Sequence, residues 1–174
     1  MADLTHVAFL RGMNVGGHRL TNAELAAVFV DLGFTSVVPY QAAGNVMLAC
    51  DRAPDAEAIE AALAAHLGYA VPTIVRSASE IRAIAGSEPF DAALVRESAG
   101  KVQVLLLAGS CTPDQVEPFS TDHDRLVAAG SEIYLLPAEG MSKTQLDTTG
   151  LDRAVGTFTV RTQGTVARLA PKLT

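Results

Sequence analysis

Two short segments, Val46-Met47-Leu48-Ala49 and Val104-Leu105-Leu106-Leu107, are apolar at every position, and Val7-Ala8-Phe9-Leu10 repeats the pattern. Successive side chains of a strand point to opposite faces, so such runs place apolar surface on both sides of a sheet. A sheet with one wet face would instead alternate apolar and polar residues. Any fold adopted by this chain has to cover both faces of its central strands.

The signals between the strands predict their order. His6 to Leu10 reads as a first strand. Thr21-Asn22-Ala23-Glu24 is a capping box, with Leu25, Val28, Phe29 and Leu32 at helical spacing and Gly33 as the stop. Val37 to Gln41 and Asn45 to Cys50 read as second and third strands around Ala42-Ala43-Gly44. A helix over Asp55 to Leu67 follows Pro54 and stops at Gly68, and Val71 to Arg76 is a fourth strand. This β-α-β-β-α-β order is the ferredoxin-like arrangement.

The order then repeats. Ser77-Ala78-Ser79-Glu80 is another capping box, opening a linking helix to Ala85, and Ser87 to Gly100 is expected to be loop. Lys101 to Leu107 is a strand, and Thr112-Pro113-Asp114 starts a short helix. Asp124 to Ala128 and Glu132 to Leu136 form a hairpin. A helix is predicted from Ser142 to Val155 with a break at Gly150, then a strand over Thr157 to Arg161 and a helical turn over Thr165 to Leu169. The expected fold class is α+β, with two ferredoxin-like (βαββαβ) subdomains packed together as one compact unit. Residues 1–76 make the first, 77–100 the link and 101–174 the second.

The segment Leu10-Arg11-Gly12-Met13-Asn14-Val15-Gly16-Gly17-His18-Arg19 stands apart chemically. It has three glycines and no acid, in a protein whose formal charge is −6. No Asp or Glu occurs between Asp3 and Glu24, and none after Asp152, where Arg153, Arg161, Arg168 and Lys172 lie. A strand, a basic glycine loop and a helix form a setting that can hold an anion. The glycine spacing is neither that of a P-loop nor that of a dinucleotide fingerprint. In a ferredoxin-like sheet the first and third strands are antiparallel neighbours. Arg11, Gly12, Asn14, Gly16 and Gly17 should therefore meet Gly44 and Asn45, with Gln41 at the same edge. From the second half, Ser142 at a helix N-cap with Lys143, and Arg161, are the candidates to complete a ligand site. A glycine-shaped turn with solvated arginines accounts for the same residues without a ligand.

Other chemistry is sparsely represented. His6, His18, His66 and His123 have no metal-ligand spacing with Cys50, Cys111 or each other, so no metal site is assigned; Asp122-His123-Asp124 reads as a polar loop. Cys50 follows an apolar strand and reads as a small buried residue. No Gly-x-Ser-x-Gly elbow occurs, and no catalytic residue or cofactor is assigned. RNA-recognition sheets use aromatics on their first and third strands. Only Phe9 is available here, so RNA binding on the sheet face is not expected. No signal peptide or run of about 20 apolar residues is present, and the expected location is cytoplasmic, with no membrane partner.

Four segments also carry a resemblance. Leu10 to Gly17, Ala43-Gly44-Asn45-Val46, Val71-Pro72-Thr73-Ile74-Val75-Arg76 and Glu139-Gly140-Met141-Ser142-Lys143 resemble, in order and spacing, the bacterial domain of unknown function 1697 family. The resemblance implies tandem ferredoxin-like subdomains and no established activity. Two places depart from the family pattern. The family's tryptophan two residues after the C-terminal arginine is Gln163 here. A glutamine and serine become Ala42 and Ala43, with Gln41 one place earlier.

Overall fold

A computed structural model describes residues 3–13, 20–41 and 44–174. The chain is α+β and divides into two compact units, Met1–Arg82 with Leu169–Thr174, and Ala83–Arg168. Each unit contains one four-stranded antiparallel sheet of ferredoxin-like topology.

In the first unit the elements are β1 (His6–Leu10), α1 (Asn22–Asp31), β2 (Val37–Tyr40), β3 (Asn45–Leu48), α2 (Ala56–Leu67), β4 (Thr73–Ser77) and α3 (Ala78–Ala85). The sheet order is β2-β3-β1-β4. Local signals start and stop these helices as the sequence predicts. Thr21 Oγ1 accepts from Glu24 N–H at 3.2 Å, while the Glu24 carboxylate accepts from Thr21 N–H at 2.8 Å. Asp55 caps α2, and Gly68 ends it in the left-handed region at φ +79°. Ser77 and Glu80 form the same reciprocal pair at the start of α3. Thr21→Ala is expected to cost about 1 kcal/mol, measurable by urea denaturation, because Glu24 N–H in the first turn of α1 loses its acceptor.

Ala8, Leu10, Val46 and Leu48 face a core with Leu25, Val28 and Phe29 of α1 and Ile59 and Leu63 of α2. Val7, Phe9 and Met47 point the other way and are also buried. Both faces are dry, as the continuous apolar runs require. The C-terminal segment 169–174 belongs with this unit, although the sequence division leaves it with the second half. Thr174 N–H donates to Leu4 O at 2.8 Å, and Arg82 Nη2 donates to Leu173 O at 3.0 Å. The first of these bonds joins residues nearly the whole chain apart and the second spans 91 positions, which no local pattern encodes.

The second unit holds α4 (Ala92–Glu97), β5 (Gln103–Leu107), α5 (Pro113–Val116), β6 (Asp124–Ala129), β7 (Glu132–Pro137), α6 (Thr148–Val155), β8 (Phe158–Thr162) and α7 (Gln163–Leu169). The sheet order β6-β7-β5-β8 repeats that of the first unit. Every residue of β5 is buried. Leu105, Leu107, Ile133 and Leu135 face a core with Val116, Leu151 and Val155.

Two expectations fail here. The segment 87–100 is not all loop: Asp91 caps α4 through Ala93 N–H at 2.7 Å. That helix has six residues and buries none, so it leaves no apolar periodicity to read. The helix predicted from Ser142 is replaced by a 3-10 turn over Met141–Lys143, irregular chain, and then α6 capped by Asp147. Gly150 lies inside α6 and does not break it. Its N–H donates to Asp147 Oδ1 at 2.8 Å, and a Cβ there would run into the Asp147 carboxylate and, at 3.0 Å, Phe119. The glycine meets a packing demand that resembles a helix break in one dimension.

Candidate functional site

The predicted corner forms. Phe9 pairs with Asn45 across β1 and β3, Leu10 N–H donates to Gly44 O at 2.8 Å, and Arg11 N–H donates to Pro72 O at 2.8 Å. Arg11 and Gly12 therefore leave the sheet beside Gly44 and Asn45. Gly12 is exposed, with φ +74°, and Arg11 is half-buried. Gln41 closes the same edge at φ +57°, the one left-handed non-glycine among the described residues. Asn14, Gly16 and Gly17 lie outside the described residues.

The corner residues divide into those that shape it and those that face solvent. Gly44 has φ +66°, and a Cβ there would lie 3.0 Å from Met13 Cγ and 3.1 Å from both Leu10 Cβ and Leu10 O. Asn45 is fully buried, and its Nδ2 donates to Tyr40 O at 3.2 Å, closing the β2–β3 connection. Met13 is buried too, with its carbonyl accepting from Tyr69 Oη at 3.4 Å. Gly44, Asn45 and Met13 thus make the backbone frame. Arg11, Gly12 and Gln41 are the groups on it with exposed surface.

Two residues not nominated from the sequence join this end of the sheet. Tyr40 is opposite Asn45, which is opposite Phe9, so the three side chains share the face turned away from α1 and α2. The Lys172 ammonium lies 5.7 Å from the Tyr40 ring centroid, within cation–π range. Lys172 was legible only as one of several C-terminal cations; its return to the first unit depends on tertiary contacts. Tyr40 carried a weak signal, as an aromatic ending a strand beside the expected corner.

The second-half candidates belong to the other unit. Ser142 is not a helix N-cap: it sits in the 3-10 turn, which has no side-chain cap, and the cap of the following helix is Asp147. Lys143 is exposed and pairs with Glu139 at 2.8 Å, which raises the lysine pKa and lowers that of the glutamate. Arg161 Nη1 donates to Thr159 Oγ1 at 2.9 Å and Val160 O at 2.7 Å. Burial lowers its pKa to about 10, which leaves it charged at neutral pH.

Arg161 also has a counterpart. It pairs with Val104 on β5 as Arg76 pairs with Val7 on β1, and Arg76 Nη1 likewise donates to the preceding carbonyl, Val75 O, at 2.9 Å. Each arginine is followed by a hydroxyl that caps the next helix, Ser77 for Glu80 N–H and Thr162 for Thr165 N–H. The repeated Val-Arg-Ser/Thr was readable in the sequence and marks equivalent positions of the two sheets. Among the described residues no group of three His, Cys, Asp or Glu side chains is placed to hold a metal ion, and no helix is long and apolar enough to cross a membrane.

The sequence matches the family described as protein of unknown function (DUF1697) over residues 4–134. This chain belongs to that family. No curated protein matches it. Among solved structures, the DUF1697 chain is similar to the conserved bacterial protein SP0830 from Streptococcus pneumoniae, with a TM-score of 0.74 and 20% identity, over 98% of this chain and 100% of that one. At that identity the likeness shows a shared fold.

Proposed function

We propose that this chain is a cytoplasmic binding protein for a small anionic, nucleotide-like ligand held at the Arg11 corner. The observation that carries the reading is the placement of Arg11 and Gly12 at an edge framed by Gly44 and Gln41, in a protein of net charge −6. An arginine supplies a planar fork of donors matched to phosphate or carboxylate, and a glycine beside it lets the ligand approach the backbone. Lys172, anchored over Tyr40, adds a second cation to the same end of the sheet. Ser142, Lys143 and Arg161 are not needed by this reading.

A second reading has its own support. Gly44 and Asn45 are engaged in building the corner, so the motif can be a device of the fold in a structural or interaction module. Thermal-shift measurements with inorganic pyrophosphate, mononucleotides and a short oligonucleotide separate the two. A ligand present at a hundred times its Kd adds about 2.7 kcal/mol to stability. Wild type is expected to gain melting temperature with a phosphate-bearing ligand, and Arg11→Ala to lose that gain, measured against its own unliganded melting temperature. Equal gains in both proteins, or none in wild type, would leave the structural reading standing.

A further inference from the structure

The opposite end of the first sheet holds a different set of groups. Thr5 precedes β1, His6 opens it, and Cys50 follows the end of β3. Cys50 Sγ lies 3.1 Å from His6 Nδ1. The Thr5 hydroxyl donates to Cys50 O at 2.8 Å, accepts from Cys50 N–H at 3.2 Å, and lies 2.9 Å from His6 Nδ1. One side chain therefore positions both partners. The single Thr5 hydroxyl proton goes to Cys50 O, so the 2.9 Å contact is a hydrogen bond only when Nδ1 carries hydrogen. In the other tautomer, with hydrogen on Nε2, Nδ1 is an acceptor and the Cys50 thiol is the donor beside it.

The cysteine of this pair borders open space. Cys50 is half-buried and forms part of the wall of a cavity of about 570 Å3, with Phe34, Thr35, Asp51, Arg52 and Asp55. Two carboxylates against one guanidinium give that wall a negative balance. Burial raises the Cys50 thiol, against an opposing pull from the Thr5 hydroxyl and with a smaller push from Asp51; burial lowers His6, against an opposing pull from Glu80. The resting pair is a neutral thiol beside a neutral imidazole, so a base is needed for the sulfur to act as a nucleophile. The chain's other cysteine is set differently: Cys111 is 8% exposed, and its thiol faces Glu132 O at 3.9 Å.

We propose that Cys50 is a thiol–disulfide exchange site, with His6 as its base, for small disulfides that carry ammonium groups. Cys50 Sγ attacks one sulfur of the disulfide while its proton passes to His6 Nδ1. The new Sγ–S bond forms as the old S–S bond breaks. The departing thiolate takes the proton from His6 and leaves as a thiol. Cys50 is oxidised and the released half is reduced, so the incoming disulfide is the only oxidant required. The product is a mixed disulfide, and excess small thiol reverses it.

Intact-mass spectrometry of the native full chain exposed to cystamine tests this. One cysteamine adduct is expected, on Cys50 by peptide mapping, with Cys111 unmodified until denaturant is added. A dianionic aromatic disulfide is expected to react several-fold more slowly than cystamine, relative to the same reagents on free cysteine. His6→Gln, checked for native circular dichroism, is expected to slow the cystamine reaction on the order of tenfold. Native Cys111 reacting as fast as Cys50 would overturn the proposal, as would a folded His6→Gln that reacts like wild type. If His6→Gln does not fold, the ratio of Cys50 to Cys111 rates in wild type decides.

Discussion

Phe9→Ala is expected to destabilise the protein by about 3–5 kcal/mol in urea denaturation, the cost of emptying a fully dry aromatic site. Phe9 is 0% exposed and lies on the face of β1 opposite Ala8 and Leu10. Those two residues face α1 and α2, so the helices of the ferredoxin-like layer do not account for the burial of Phe9. The substitution therefore probes the second face alone. Were that face open to water, the ring would already be hydrated, and its removal would cost on the order of 1 kcal/mol or less. A loss that small would refute the two-faced core on which the fold rests. A loss comparable to that of Phe29→Ala, inside the helix-covered core, is the expected outcome.

Gly100→Ala is expected to cost about 3 kcal/mol, the upper part of the range for overpacking. A Cβ at this position would run into the carbonyl oxygen of Pro137, and would also lie 2.8 Å from Pro137 Cγ and 3.1 Å from Gly140 N. Two of these neighbours are backbone, so no side chain can swing aside. The surroundings are tied as well: Ser98 Oγ donates to Pro137 O at 2.8 Å and accepts from Gly100 N–H at 2.9 Å, while Ala99 N–H donates to Ala138 O at 2.9 Å. To admit the methyl group, the 98–100 segment must part from the end of β7. Gly109→Ala is the control, because nothing lies within 4 Å of a Cβ there. It is expected to stay within about 0.5 kcal/mol of wild type. Parallel urea titrations of both variants check the pair, and equal stabilities would refute the close approach at Gly100.

Much of the architecture was legible because its signals are local. Thr21 with Glu24, Asp55 with Gly68, and Ser77 with Glu80 each start or stop a helix through bonds spanning a few residues. The strand order follows from those boundaries, and the meeting of Leu10 with Gly44 follows from the strand order. Where signals were short or ambiguous, reading failed. Six residues of α4 hold too few turns to show a period, and Gly150 resembles a helix break although it answers the bulk of Phe119 and Asp147. The candidate site was legible as a place and less so as chemistry. Sequence alone could not show that Asn45 and Gly44 frame the corner, since burial and φ depend on what packs around them.

The amino-acid sequence by itself determined the two β-α-β-β-α-β repeats, the need to bury both faces of the central strands, and the corner where Arg11 leaves the first sheet. These rest on side-chain alternation, capping and spacing, all read within a few residues. Tertiary structure alone decided which groups stand beside them. Lys172 returns to the ring of Tyr40, residues 169–174 join the first unit, and Cys50 meets His6 across 44 positions of sequence. Contacts between distant segments arise when the sheet closes and the chain end packs, and no local pattern carries them.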